Sequence, residues 1–380
     1  MPNSTPVTPL WIDTPQKLAA MSADLQQADY LCVDTESNSL YVYYEQVCLI
    51  QISTASQDYL LDPLVLKDLS CLAGIFANPK QEKIFHASEY DVICLKRDFN
   101  FTFANIFDTM IAARILGEQA VGLAALLNSR MGLELDKKYQ RANWAIRPLT
   151  PEMLTYACQD SHFLYELRNI LAAELKEKGL WELALEDFHL ACRVEGHAGV
   201  PVPQTCWKVA GSTAIDGQEA AILQLLVDFR ENLASKQNVP PFKIITNEVL
   251  MKLIKEVPTT YDELKAIRGT SPRFIERHAN EILDILKQKE SLPPLRKERK
   301  VRPSEAYLNR LDSLREWRKL KGKELKVESD VILPRDFVEN VAGANPTTQK
   351  ELKEILQLIP WRNEHFGKEI LSVLKKQETE

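Results

Sequence analysis

YLCVDTES, residues 30–37, opens with a run of β-formers from Tyr30 to Asp34 and closes on two carboxylates spaced by two, Asp34 and Glu36. Side chains alternate along an extended strand, so both carboxylates project from the same face. Working outward, VCLIQIST (47–54) and DYLLD (58–62) follow at hairpin-like distance, and KIFH (83–86) reads as a fourth strand. Three strands in close succession, then a strand followed by helices, predict an α/β domain: a mixed sheet with helices packed on it.

Helical periodicity begins after His86. It is clear in TMIAARILG (109–117), in GLAALLNSRMG (122–132) and in a long segment from Pro151 to about Lys178. Thr150 is placed to cap that last helix, Pro151 to occupy its first turn and Gly179 to end it. A further helix is expected over 180–194, before a loop with Pro201 and Pro203. The second half of the chain repeats itself. A shift of 88 positions lays PTTYDELK (258–265) on PTTQKELK (346–353), EILDILK (281–287) on EILSVLK (369–375) and Arg230 on Arg318, without a gap. Each unit reads as a small all-helical bundle, joined by the charged, proline-bearing linker SLPPLRKERKVRPSE (291–305).

The net charge of −6 hides an asymmetry. Residues 1–200 hold 16 Lys+Arg against 26 Asp+Glu, whereas residues 201–380 hold 31 against 27. An acidic half beside a basic half suits a cation-holding site joined to a phosphate-binding module. The seven cysteines show no CxxC spacing, which argues against a zinc site or a disulfide framework and for a reducing cytoplasm. The first residues lack the basic start and apolar run of a signal peptide, and no apolar stretch is long enough to span a bilayer.

Four carboxylates stand out by position. Asp34 and Glu36 end the first strand; Asp91 follows His86 by five residues, where the fourth strand gives way to a helix; Asp160 lies one helical turn beyond Tyr156. Hydrolysis of a phosphodiester is slow because a hydroxide-like nucleophile must approach an anion. Two Mg²⁺ or Mn²⁺ ions would activate the water and stabilise the leaving oxygen, and such hard cations need only a few carboxylates from separate elements. Asp34 is placed to bridge both ions, with Glu36 and Asp160 in one shell and Asp91 anchoring the other through water. Asp62 and Asp108, by contrast, read as cap or turn residues.

VDTES (33–37), HASEYD (86–91) and YACQD (156–160) resemble the three exonuclease motifs of the DEDDy subgroup. LIQIST (49–54), IFDTMIAARILG (106–117) and NWAIRPLTPEMLTYACQD (143–160) are similar, in order and spacing, to segments of the ribonuclease D family. The repeated units resemble HRDC domains. The resemblance implies a ribonuclease H-like mixed sheet flanked by helices over 1–200, followed by two small all-α HRDC bundles over 211–292 and 303–380. It implies a 3′→5′ exoribonuclease that releases nucleoside 5′-monophosphates and acts in 3′ maturation of tRNA and other stable RNA, with no obligate protein partner. The competing readings are a DNA exonuclease and a non-catalytic nucleic-acid-binding protein. The resemblance makes Asp34, Glu36, Asp91 and Asp160 ligands of two divalent cations (Mg²⁺ or Mn²⁺). Tyr156 becomes the residue that orients the attacking water. Thr155 stands where a sister subgroup has histidine. Gln51, His86, Trp144 and Arg147 match positions near the substrate path; Arg147 is expected to meet a phosphate and His86 to orient the loop carrying Asp91. Asn143 and Cys158 depart from the family pattern, and His162 reads as a packing or surface residue.

Residues 296–326 carry 12 Lys+Arg against 5 Asp+Glu, interleaved with Trp317. This suits a phosphate-tracking surface with a stacking aromatic. It equally suits a solvated helix face, with Trp317 filling the bundle core as its counterpart Phe229 would. On the first reading the two bundles form a platform that guides an RNA 3′ end toward Asp34.

Overall fold

The computed structural model describes residues 8–196, 203–297 and 302–376, so the termini and part of the RKERK run (296–300) lie outside the described residues. The chain falls into two compact units: one of Met1–Ser37, Val47–His197 and Pro303–Glu380, the other of Asn38–Gln46 and Ala198–Arg302. This division differs from the linear order read in the sequence. The second bundle shares a unit with the sheet, and the short loop 38–46 leaves it for the first bundle.

The first unit is built on six strands: β1 (Leu10–Ile12), β2 (Tyr30–Ser37), β3 (Val47–Ser53), β4 (Asp58–Leu61), β5 (Glu82–Phe85) and β6 (Ile106–Asp108). Their order across the sheet is β1-β4-β3-β2-β5-β6. β2 and β3 are antiparallel, as are β3 and β4, while β2, β5 and β6 run parallel and β1 is parallel to β4. Every residue of β3 is buried, because helices cover both faces of the sheet. The sheet is thus the mixed, helix-flanked one expected. Two short edge strands, β1 and β6, and the helix Pro15–Leu25 go beyond the elements read in the sequence. The long helix expected from Pro151 is two helices, Pro151–His162 and Leu164–Glu177, separated at Phe163, where ψ opens to 0°.

The second bundle, led by the helix Glu305–Leu325, docks on the sheet domain through a buried ion pair. Arg362 is fully buried; its guanidinium meets Glu186 at 2.9 Å and Asp187 at 2.9 Å and also donates to the Val331 carbonyl. Gly117 marks another close approach. Its φ is +87°, and a Cβ there would lie 2.6 Å from the Lys326 carbonyl oxygen. Trp317 packs against Phe366 and donates from its indole nitrogen to Glu369 at 2.8 Å. Lys321 pairs with Glu324 and Glu369, and Arg318 donates to the Leu333 carbonyl. The basic run around Trp317 is therefore largely consumed within its own bundle, and the tryptophan is a packing residue, not a free stacking platform.

In the second unit the helix Gly217–Gln237 starts from a capping box, Asp216 with Glu219, and ends on Asn238 in the left-handed region. The Asn238 side-chain oxygen accepts from the backbone N–H groups of Tyr43 and Tyr44, which fixes the 38–46 loop. No helix among the described residues is long and apolar enough to cross a membrane.

Candidate active site

β2 delivers Asp34 and Glu36 to one face of the sheet, with Asp34 registered opposite Gln51 of β3. The helix Pro151–His162 delivers the third carboxylate. Thr150 accepts from the Met153 N–H at its start, and Pro151 needs no donor partner in the first turn, so the helix begins where Tyr156 and Asp160 fall one turn apart. Ligand oxygens of Asp34, Glu36 and Asp160 lie within 4.8 Å of one another. They line a cavity of about 370 Å³ together with Tyr156 and His86.

Asp91 is set back from this trio. It is buried at the start of the helix Glu89–Phe99 and accepts a hydrogen bond from the Thr35 hydroxyl. The turn before that helix bends through Ala87, at φ +60°. Asp108 holds the turn by accepting from the Ala87 and Ser88 N–H groups, and it also caps the next helix through Met110 and Ile111. Asp108 is thus the cap its position suggests.

Crowding and burial disfavour four negative charges at this place. Burial, then Asp160, pushes the Asp34 carboxyl well above the usual range. Burial with Asp34, Asp160 and Asp91 raises Glu36 to about 10. Burial, then Asp34, raises Asp91, against the pull of the Thr35 hydroxyl. Asp160 rises to about 7 through burial, with a hydrogen bond from Tyr156 pulling the other way. The Tyr156 phenol is itself raised, by burial first and then by Asp160, Glu36 and Asp34, so it stays protonated at neutral pH. An all-oxygen donor set of this kind fits a hard divalent cation, whose charge would hold the carboxylates ionised. Gln51 is fully buried on the strand beside Asp34, and neither atom of its amide has a hydrogen-bond partner among the described residues.

The residues expected along the substrate path divide sharply. His86 reaches the cavity, its Nδ1 held by the Thr109 hydroxyl at 2.9 Å, and burial lowers its pKa. Gln51 does not reach the cavity surface. Trp144 is only 1% exposed and packs against the Tyr156 ring at 6.0 Å, so it buttresses the tyrosine from behind rather than touching substrate. Arg147 is not free to meet a phosphate. It forks onto Asp62 at 2.6 and 2.8 Å and donates to the carbonyls of Cys48, Trp144 and Ile146. Its partner lies 85 residues away, which no local reading of RPLTP could reveal. His162 is likewise neither a core filler nor a free surface residue: it pairs with Asp58 at 2.8 Å and ties the catalytic helix to β4.

The cavity also holds residues that the sequence reading passed over. Lys137 and Gln140 line it from the loop 132–150, and the start of the helix Leu123–Met131 faces it. The KKYQ run was the available signal, a basic pair in a loop between the second and third motifs.

Residues 9–176 match the 3′-5′ exonuclease family, and residues 219–286 and 308–374 match the HRDC domain. Together these matches span well over half the chain and define its class, a 3′-5′ exonuclease domain followed by two HRDC domains. The exonuclease family is metal-dependent.

Among relatives, the exosome complex exonuclease RRP6 of Saccharomyces cerevisiae is 29% identical over 294 residues, covering 73% of this chain and 40% of that protein. The exosome complex component 10 homolog of Caenorhabditis elegans is 30% identical, covering 74% of this chain and 32% of that one. The chain thus spans about a third to two-fifths of the length of these relatives. The catalytic core of RRP6 from Trypanosoma brucei superimposes with a TM-score of 0.69 at 26% identity, covering 77% of this chain and 81% of that one. Escherichia coli RNase D shares the fold over 97% of this chain and 99% of its own length, with a TM-score of 0.68 at 23% identity.

Proposed function

We propose that this protein is a metal-dependent 3′→5′ exoribonuclease that removes nucleoside 5′-monophosphates one at a time from RNA 3′ ends. The observation that carries this reading is the convergence of Asp34, Glu36 and Asp160 within 4.8 Å, with Tyr156 one helical turn from Asp160. Asp34, Glu36 and Asp160 would hold divalent cations, two in number and Mg²⁺ or Mn²⁺ in kind, with Asp91 supporting them from behind through solvent. Bound there, the cations supply a lowered pKa for the attacking water and charge stabilisation for the leaving 3′ oxygen. The neutral Tyr156 hydroxyl orients that water, which a phenol can do without acting as a base. Attack forms a new P–O bond and breaks the bond from phosphorus to the 3′ oxygen. The RNA is left with a fresh 3′ hydroxyl.

The choice of RNA over DNA is supported by relatives named as exosome exonucleases, and the proposed substrates are the 3′ ends of tRNA precursors and other structured RNA. A cytoplasmic, reducing setting is supported by seven cysteines, none of which forms a disulfide. The test is to digest one RNA labelled at the 5′ end and the same RNA labelled at the 3′ end, beside a DNA of identical sequence. The reading expects a ladder shortening one nucleotide at a time from the 5′-labelled RNA, immediate release of labelled mononucleotide from the 3′-labelled RNA, and slower digestion of DNA. Internal fragments, or faster digestion of DNA, would overturn it.

A further inference from the structure

The helix that delivers Tyr156 and Asp160 to the cavity carries chemistry on its other face as well. Cys158 and His162 flank Asp160 at two residues on either side, which places both about 200° round the helix from it. Being four residues apart, they stand one turn from each other on a single face. Asp58, the first residue of β4, meets them there. One ligand atom from each of Asp58, Cys158 and His162 lies within 4.8 Å of the other two. Asp58 and Cys158 are buried, whereas the His162 side chain is 27% exposed and forms the solvent side of the trio.

Hydrogen bonding alone gives the cysteine little to do. Asp58 bonds to His162 at 2.8 Å, and Ser53 and Cys158 also hydrogen-bond its carboxylate. The imidazole and the hydroxyl already satisfy that carboxylate, and a thiol is a weak donor. A thiolate, an imidazole nitrogen and a carboxylate oxygen are, by contrast, a donor set that suits zinc. Their charges also balance. A divalent ion with one thiolate, one carboxylate and one neutral imidazole has no net charge, so its burial escapes the penalty that falls on an isolated ion. Donors about 2.0–2.3 Å from a tetrahedral ion stand about 3.3–3.6 Å apart. The span found here accommodates that geometry. Such a site needs no CxxC pair, because its β4 ligand lies 104 residues from its histidine and is brought to it by the fold.

We propose that Asp58, Cys158 and His162 form a second metal site, one for zinc, which clamps the catalytic helix to β4 on the side away from the carboxylate centre. Three protein ligands leave the fourth position of a tetrahedral ion to water. On binding, the Cys158 thiol gives its proton to solvent, and Nδ1 of His162 gives up the proton it shares with Asp58. Ser53 then holds the Asp58 carboxylate from outside the ligand set, and Ser53 is itself 2.8 Å from the Ser161 hydroxyl. The two sites sort metals by ligand type: oxygen alone at Asp34, Glu36 and Asp160 for hard cations, sulfur and nitrogen here for a softer one. The proposal stands independently of the exoribonuclease reading.

The test uses the full chain, stripped of metal with a chelator and titrated with Co²⁺ in saturating Mg²⁺ and a reductant. Cobalt reports on zinc sites by absorption, since a thiolate ligand adds a charge-transfer band in the near ultraviolet and four-coordination gives intense visible bands. Wild type is expected to take up about one Co²⁺ per chain with both signals, and Zn²⁺ to displace it. Cys158→Ser is expected to lose the near-ultraviolet band. Asp58→Asn keeps the thiolate but is expected to bind at least about tenfold more weakly, the loss that follows removal of even an outer-shell partner. Cys71→Ser, at an exposed cysteine outside the trio, is expected to leave the titration unchanged, as is Asp34→Asn to leave the band. In the same buffer Zn²⁺ is expected to raise the thermal midpoint of wild type but not that of Cys158→Ser. Absence of a thiolate band in wild type would overturn the proposal. So would the same band in Cys158→Ser with an unaltered circular dichroism spectrum, or loss of the band in Asp34→Asn, which would put the cobalt at the carboxylate centre.

Discussion

Replacing Arg362 with methionine keeps most of the side-chain volume and removes the charge. The arginine is fully buried and reaches Glu186, 5% exposed, at 2.9 Å. Burial raises the Glu186 pKa, and the opposing pull of Arg362 only partly offsets it, so removing Arg362 leaves the burial of that carboxylate less compensated. Stranding a buried charge by removing its partner costs about 3–5 kcal/mol. Because Glu186 retains the Trp361 N–H, the lower half of that range is expected, about 3 kcal/mol. Urea unfolding followed by circular dichroism at neutral pH measures the loss. The second arm adds Glu186→Gln, which keeps an acceptor for the Trp361 N–H while removing the stranded charge, and the double variant should recover at least about 1 kcal/mol relative to Arg362→Met alone. A loss below about 1 kcal/mol for Arg362→Met, or no recovery in the double variant, would refute the view that a buried ion pair holds the second bundle to the exonuclease domain.

Three further outcomes follow from the same geometry. Arg147→Ala strands the buried Asp62 and should lower unfolding stability by about 2 kcal/mol, discounted because the arginine is partly exposed, while KM for short RNA stays within about threefold; a selective rise in KM would return Arg147 to the substrate path. Lys83 is buried in the sheet with its ammonium on the carbonyls of Asn78 and Gln81, and burial lowers its pKa to about 8. The unfolded chain therefore binds more protons than the folded one between pH 8 and about 10.5, and stability gains from this group as pH rises through that window. The difference in urea midpoint between wild type and Lys83→Met should grow in favour of wild type from pH 8 to 10, and a flat difference would contradict the shift. Tyr156→Phe should lower kcat by about a hundredfold, the usual loss for one transition-state hydrogen bond, with cation affinity unchanged; near-normal kcat would remove the tyrosine from the reaction.

The sheet was legible because its central strands announce themselves. YLCVD and VCLIQIST are apolar runs with β-formers, and they form β2 and β3 at the centre. The edges were not, since β1 is three residues long and β6 runs directly into the helix Thr109–Ile115, whose periodicity masks it. The division of one expected helix at Phe163 leaves no mark of the glycine or proline kind. The positions of the acidic residues could be read because chemistry dictates them and short-range spacing controls which face they occupy. Arg147 and Trp317 were less legible for the opposite reason. What decides whether such a residue faces substrate or core is a partner far off in the chain: Asp62 for Arg147, and Glu369 for Trp317, whose core-filling reading is the one the structure bears out. Composition revealed the basic half of the chain, but only the pairing of individual cations shows which of them remain available.

Mn²⁺ binding, followed by electron paramagnetic resonance of the free ion, tests the central claim without relying on turnover. Wild type is expected to take up about two ions per chain, and Asp34→Asn, with its fold intact by circular dichroism, to lose most of that capacity. Equal Mn²⁺ uptake by the two proteins would contradict a cation centre built on Asp34, Glu36 and Asp160.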